Sequence, residues 1–282
     1  LKTGAGRQTA QRLIAGADAV IENFRPGVMG RLGLGPAAMT ALHPRLIYCS
    51  LPGFASDDPR AGMQAWEGIL GAATAAYRAK NGKPVYTVLP YASMFGAFLA
   101  VVSITLGLNA RERSGRGQSM EIPLFDASFT ALSNHVLKVH GDSAPANFDW
   151  SRLLPTRDGR WMRYYSINKC SDAFMRELGL EQLREQGLGA AELGRRFDEV
   201  FRSRSAAEWE DTCAKNGTEC ATCLSSAEWL DHPHALQSGI VADFDDPVLG
   251  RFRGVGVNVR LSETPGAVLR ARVLDPSGQP AR

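Results

Sequence analysis

The chain has 282 residues, 44% hydrophobic and 22% charged, enough to bury a real core as one large domain or two modest ones. Its 32 basic and 29 acidic side chains leave a formal charge of +3, too small and too dispersed for a nucleic-acid footprint, so any anionic partner must be met locally. The longest apolar run, Phe95 to Leu108, is about fourteen residues against the roughly 20 that span a bilayer, so it reads as a buried helix and no membrane partner is expected.

Residues 5–16 read as a helix closed by Gly16, and Ala17 to Asn23 as a strand. Residues 36–43 form a short helix with Pro36 in its first turn, and Arg45 to Ser50 is a buried strand by its continuous apolar run. Strand, helix and strand with short joints predict a parallel sheet. Trp66 to Arg78 is alanine-rich and helical, and a longer helix runs from about Ser93 to Arg113. Residues 118–124 read as a strand that Pro123 interrupts, and Phe125 to His140 as a helix.

Gly, Asp, Ser, Pro and Asn then cluster at 141–155, a linker by composition. Thr156 to Gly159 is a hairpin-type turn leading into a strand at Arg160 to Tyr165 with exposed basic positions. Helices follow near 171–178, 190–202 and 206–215, with strand-like pieces near 220–224 and 239–244 and a turn at Asp245 to Gly250. The expected architecture is α/β: a Rossmann-like large domain over 1–140 with a parallel sheet, then a small α+β domain over 156–254.

Five cysteines, an odd number, argue for free thiols and a reducing, cytoplasmic setting. Cys220 and Cys223 make a C-x-x-C pair near Cys213, but a zinc site needs a fourth ligand at suitable spacing, and structural thiols are preferred. His232 and His234 flank Pro233 in a turn, and loop polarity explains them as well as a ligand does. His135 and His140 are five apart on one helix, off a common face, and read as ordinary histidines.

Two strings carry candidate chemistry. Glu22-Asn-Phe-Arg-Pro-Gly27 stands where a strand ends and a turn begins, the place where open α/β sheets bind ligands. Asn23 offers donor and acceptor, Phe24 an aromatic face, and Arg25 or Arg31 a fork for phosphate. The bland reading is a turn with solvated arginines. The second string, Arg111 to Gln118, joins a long helix to a strand; its glycines suit a tight reversal, and a helix C-terminus is the wrong end for an anion.

With the phrases around them, these strings resemble the family III CoA-transferases, the CaiB/BaiF group that includes formyl-CoA transferase-like enzymes and alpha-methylacyl-CoA racemase. The likeness is carried by Gly16 to Gly27, Arg31 to Leu34, His43 to Ser50, Arg113 to Gln118, Pro123 to Ala127, Asp158-Gly159, Ala207 to Trp209 and Asp246 to Gly250. It implies an interlocked homodimer, a return segment over 255–282, and a first strand and helix upstream of Leu1, where the chain begins without methionine. Acyl-CoA and a carboxylic acid are the implied substrates, with no tightly bound cofactor and no metal.

The resemblance carries Lys2, Asn23, Phe24, Arg25, Gly27, Arg31 and Leu32 over to the CoA site and Glu67 to an acidic position beside the reactive centre. The family's nucleophilic aspartate falls on Ser93, and no aspartate or glutamate lies between Glu67 and Glu112. A serine needs a neighbouring base to attack a thioester, and its oxygen ester is poorly reactive toward carboxylate exchange, so hydrolysis or a dead end would follow. Ser93 as a helix N-cap and Asp126 as a helix-start residue are the structural readings. The functional alternatives are a CoA-transferase, an acyl-CoA racemase or isomerase, and a CoA-binding homologue without turnover.

Overall fold

The computed structural model describes residues 1–77, 79–133, 152–165, 172–180, 190–247 and 249–267. The chain divides into two compact units, Leu1–Ser143 and Ala144–Arg282.

In the first unit, α1 (Gly4–Ala15) is capped by the Thr3 hydroxyl, which accepts from Gly6 N, and ends at Gly16. Then come β1 (Ala19–Glu22), α2 (Val28–Arg31), α3 (Pro36–Leu42) with Pro36 in its first turn, and β2 (Ile47–Ser50). After α4 (Glu67–Ala73), the two-residue strands β3 (Ala79–Lys80) and β4 (Lys83–Pro84) pair antiparallel. The long helix α5 (Tyr91–Ser114), β5 (Ser119–Glu121) and α6 (Leu124–Ala131) complete the described part.

The strands β1, β2 and β5 form a parallel sheet in the order β1-β2-β5. Alternation along the central strand β2 feeds two cores, because successive side chains leave opposite faces of a sheet. Tyr48 joins Ile14, Met29, Leu34, Met39 and Leu46 beneath α1 and α3. Cys49 joins Leu51, Ala100 and Ile122 beneath α5. The buried Tyr48 hydroxyl donates to Leu34 O at 2.9 Å. Burial, then the Glu22 charge, pushes its pKa up to about 12.

Helix α5 corrects two expectations. It begins at Tyr91 with Pro90 as N-cap, so Ser93 is inside its first turn and is not the cap. Nor is it a buried helix: its small residues Ala92, Gly96, Ala100 and Gly107 are covered, whereas Phe98, Val101, Val102 and Leu106 are each more than half exposed. The helix packs through its small-residue stripe on α6, α4 and β2. At 24 residues it is also long and apolar enough to cross a membrane by length and composition, although one such helix is weak ground for a span.

The alanine-rich segment expected to be helical from Trp66 to Arg78 stops at Ala73. Thr74 turns its hydroxyl back to Leu70 O and onto Ser128 Oγ, and Ala75 takes a positive φ of 62°. The predicted helix at Phe125 to His140 is α6 as far as Ala131, and residues 134–151, with His135 and His140, lie outside the described residues. The Arg111 string is a structural turn. Arg111 binds Asp18 Oδ1 at 2.9 Å and Arg45 O at 3.1 Å, and Gly115 takes a left-handed φ of 72° as C-cap.

In the second unit, β6 (Arg152–Pro155), β7 (Trp161–Tyr165) and β8 (Glu219–Thr222) form an antiparallel sheet. Arg152 to Pro155, expected in the linker, is therefore a paired strand. The helices are α7 (Asp172–Glu177), α8 (Ala190–Phe201), α9 (Ala206–Lys215), α10 (Ser226–Leu230) and α11 (Pro233–Gln237), followed by the hairpin of β9 (Val241–Asp246) and β10 (Gly250–Val255). Tyr164, Phe174, Phe197, Phe201 and Trp209 form an aromatic core. Trp209 stacks on Phe201 at 4.4 Å between centroids and donates its ring N–H to Phe201 O at 2.8 Å, satisfying the polar end of a buried indole.

His232 and His234 are not in an open turn: His232 caps α11, its Nδ1 accepting from His234 N at 3.2 Å. Cys49, Cys213, Cys220 and Cys223 are free thiols. Among the described residues no group of three His, Cys, Asp or Glu stands close enough to hold a metal ion.

Candidate functional site

All three parallel strands deliver a loop to one place. After β1 come Asn23, Phe24 and Arg25; after β2 comes Gly53; after β5 comes Leu124. These residues, with Val28, Gln64 to Glu67, Leu70 and Ser93, line a cavity of about 630 Å³. It lies off the carboxyl ends of the sheet, where loops and helix starts converge and α/β folds bind ligands.

Local physics shapes each wall. The Glu22 carboxylate accepts from Phe24 N at 2.8 Å and folds the chain sharply as it leaves β1. Arg25 donates to Gly62 O at 3.0 Å, tying this turn to the loop before α4. Gly53 lets that loop come close, since a Cβ there would sit 2.0 Å from the Ala65 Cβ. Trp66, 73% exposed, and Phe24, 44% exposed, present aromatic surface, which gives the cavity flat faces beside the Arg25 cation.

The inner end is built by a carboxylate that bridges two helices. Glu67, the first residue of α4, accepts from Ala92 N at 2.9 Å through Oε1 and from Ser93 N at 3.1 Å through Oε2. The Ser93 hydroxyl donates to the same Oε2 at 2.5 Å. Pro90 has no side chain able to cap α5, so Glu67 satisfies the free N–H groups of its first turn from outside and sets a negative charge at its positive end.

The geometry therefore brings Asn23, Phe24 and Arg25 together with Glu67 and Ser93. Lys2, Gly27, Arg31 and Leu32 do not line this cavity. Lys2 precedes α1 in an exposed position. Gly27 is the N-cap of α2 with a left-handed φ of 79°, and Arg31 ends that helix with its guanidinium beside Gly27. Leu32 packs partly buried on the core around Met29 and Leu34. Gly53, Gln64, Trp66 and Leu124 also line the cavity; Gly53 and Leu124 stand three residues beyond the ends of β2 and β5.

Asp126 stands in the first turn of α6 but makes no side-chain cap hydrogen bond there. It borders a separate cavity of about 370 Å³ with Thr74, Phe125 and Phe129. Burial first, then the charges of Asp58, Asp57 and Glu121, raise its pKa, with Arg60 opposing. Arg60 lies over the rings of Phe54 and Phe125 at 4.3 and 4.5 Å and pairs with Asp58.

Residues 1–276 match the family described as CoA-transferase family III. Succinyl-CoA–D-citramalate CoA-transferase of Chloroflexus aurantiacus is 29% identical over 300 residues, covering 95% of this chain and 72% of that protein. The CoA-transferase/lyase DddD of a Marinomonas species is 39% identical over 162 residues, 55% of this chain but 19% of that protein. A CaiB/BaiF family protein from Brucella suis shares the fold with a TM-score of 0.73 at 23% identity, over 94% of this chain and 74% of its own. With the match running through both units, the chain belongs to CoA-transferase family III.

Proposed function

We propose that the cavity at the carboxyl ends of β1, β2 and β5 takes an acyl-CoA, and that the protein moves CoA from that thioester to a carboxylic acid. The observation that carries the reading is the shared cavity itself: Asn23 to Arg25 and the Glu67–Ser93 pair border one space. Arg25 offers a guanidinium to phosphate and Phe24 a ring face to the base. The thioester then lies at the head of α5, where Ser93 and Glu67 are the catalytic candidates. CoA enters as a substrate and no tightly bound cofactor is invoked.

The working assembly in this reading is a cytoplasmic, interlocked homodimer, with neither nucleic acid nor membrane as partner. The exposed apolar row of Phe98, Val101, Val102 and Leu106 on α5 supports a covering surface, and light scattering after size exclusion tests it: a monomer would refute the dimer.

The reading is tested by calorimetric titration with CoA, followed by succinyl-CoA and a set of free carboxylic acids with chromatography of the acyl-CoA products. Binding that weakens about tenfold or more in Arg25→Ala, with new acyl-CoA species in the wild type, is the expected result. Absence of CoA binding would overturn it.

A further inference from the structure

Among the described residues, the lining of the candidate cavity contains a single carboxylate, Glu67, and a single side-chain hydroxyl, Ser93. They are joined to each other, with 2.5 Å between Ser93 Oγ and Glu67 Oε2. The carboxylate is oriented by further donors, Ala92 N on Oε1 and Ser93 N on Oε2. A hydroxyl in contact with a base that is itself held in place is the arrangement of an activated oxygen nucleophile. Helix capping explains the two backbone donors but does not require the hydroxyl, since the backbone N–H groups alone complete the cap.

We propose that the Ser93–Glu67 pair makes this chain a hydrolase of acyl-CoA thioesters. The inference rests on the reading of the cavity as an acyl-CoA site. In the first step Ser93 Oγ bonds to the thioester carbonyl carbon, its proton passes to Glu67, the C–S bond breaks, and the CoA thiolate leaves with that proton as free thiol. In the second step a water oxygen bonds to the acyl carbon as Glu67 takes its proton. The ester C–O bond breaks, and the proton returns to Ser93 Oγ. The sum is acyl-CoA plus water giving carboxylic acid plus CoA, with no oxidant or metal in the balance.

Water is favoured over an incoming carboxylate by the chemistry of the intermediate. An acyl-serine is an oxygen ester with an alkoxide leaving group, which a carboxylate expels far more slowly than water activated by Glu67 does, so hydrolysis outruns transfer of CoA to an acid. The stretch between Glu67 and Glu112 holds no other acid that could form a mixed anhydride at this helix head.

The test incubates the purified chain with acetyl-CoA, succinyl-CoA and benzoyl-CoA, without an acceptor acid, and follows free thiol with a thiol-reactive dye. CoA binding is measured in parallel by calorimetry. The expected result is multiple-turnover thiol release from at least one thioester, lost in Ser93→Ala and reduced about 10²- to 10⁴-fold in Glu67→Gln, with CoA binding retained in both. Acid quenching should trap the acyl mass on the peptide carrying Ser93, a readout that a purely structural hydroxyl would not give. If Glu67→Gln fails to fold, Ser93→Ala and the trapped adduct decide. CoA bound without thiol release, or release undiminished in Ser93→Ala, overturns the inference and leaves the cavity reading intact. No CoA binding overturns both.

Discussion

Replacing Glu67 by alanine removes three hydrogen bonds at one stroke: those from Ala92 N, Ser93 N and Ser93 Oγ, at 2.9, 3.1 and 2.5 Å. A lost N-cap costs about 0.5–2 kcal/mol, and a lost charge at a helix N-terminus about 0.3–1 kcal/mol. Because Ser93 is exposed and Glu67 half-buried, water replaces part of what is lost, and the expected total is about 2 kcal/mol. That corresponds to a fall of roughly 4–8 °C in the unfolding midpoint. Glu67→Gln keeps one accepting oxygen and should lose about half as much, on the order of 1 kcal/mol. Scanning calorimetry gives the midpoints, and hydrogen exchange localises the change, with the amides of Ala92 and Ser93 exchanging faster in Glu67→Ala. A midpoint within about 1 °C of wild type, with those amides unchanged, would refute the assignment of Glu67 as the cap of α5.

Gly117→Ala should destabilise by about 3 kcal/mol, visible as a lower midpoint or insolubility, because a Cβ there meets the Leu46 carbonyl oxygen at 2.1 Å and backbone cannot give way. Trp209→Ala should cost about 3–5 kcal/mol, since the indole is fully buried, stacked on Phe201 and bonded to its carbonyl; chemical denaturation of the purified chain measures it. Glu228 is held well below its ordinary value of 4.5, at about 2, first by the Ser225 backbone N–H, then by Arg160 and the Ser225 hydroxyl. Its folded pKa is depressed, so its contribution is complete above the ordinary value and fades as pH falls from there toward the folded one. The midpoint difference between wild type and Glu228→Gln, measured by circular dichroism, should therefore be largest near neutral pH and shrink by about pH 3; a difference that grew on acidification would contradict the sign.

Much of the fold could be read along the chain because its signals are local. Arg45 to Ser50 is a continuous apolar run, and its core, Ile47–Ser50, is the central strand that a run buried on both faces should become. Asn23 to Arg25 follow a strand end, and the cavity lies there. Two failures share one cause, contacts between residues distant in sequence. Ser93 resembles a cap to a local reading, yet the cap of α5 comes from Glu67, 26 residues upstream. Alanine content favoured a helix through Arg78, but the buried pairing of Thr74 with Ser128 on α6 holds the end of α4 near Ala73. Helix α10 did carry a local signal, the Ser225 and Glu228 capping box, although its five residues are too few for a hydrophobic period to show.

In the proposed reaction the reactive end of CoA reaches the head of α5 from a nucleotide held at the turn after β1. A crystal structure of the protein soaked with CoA tests this most directly. The expected density places the phosphates against Arg25, the adenine near Phe24, and the sulfur within about 4 Å of Ser93 Oγ. CoA bound at any other surface, or its sulfur turned away from Glu67 and Ser93, would contradict it.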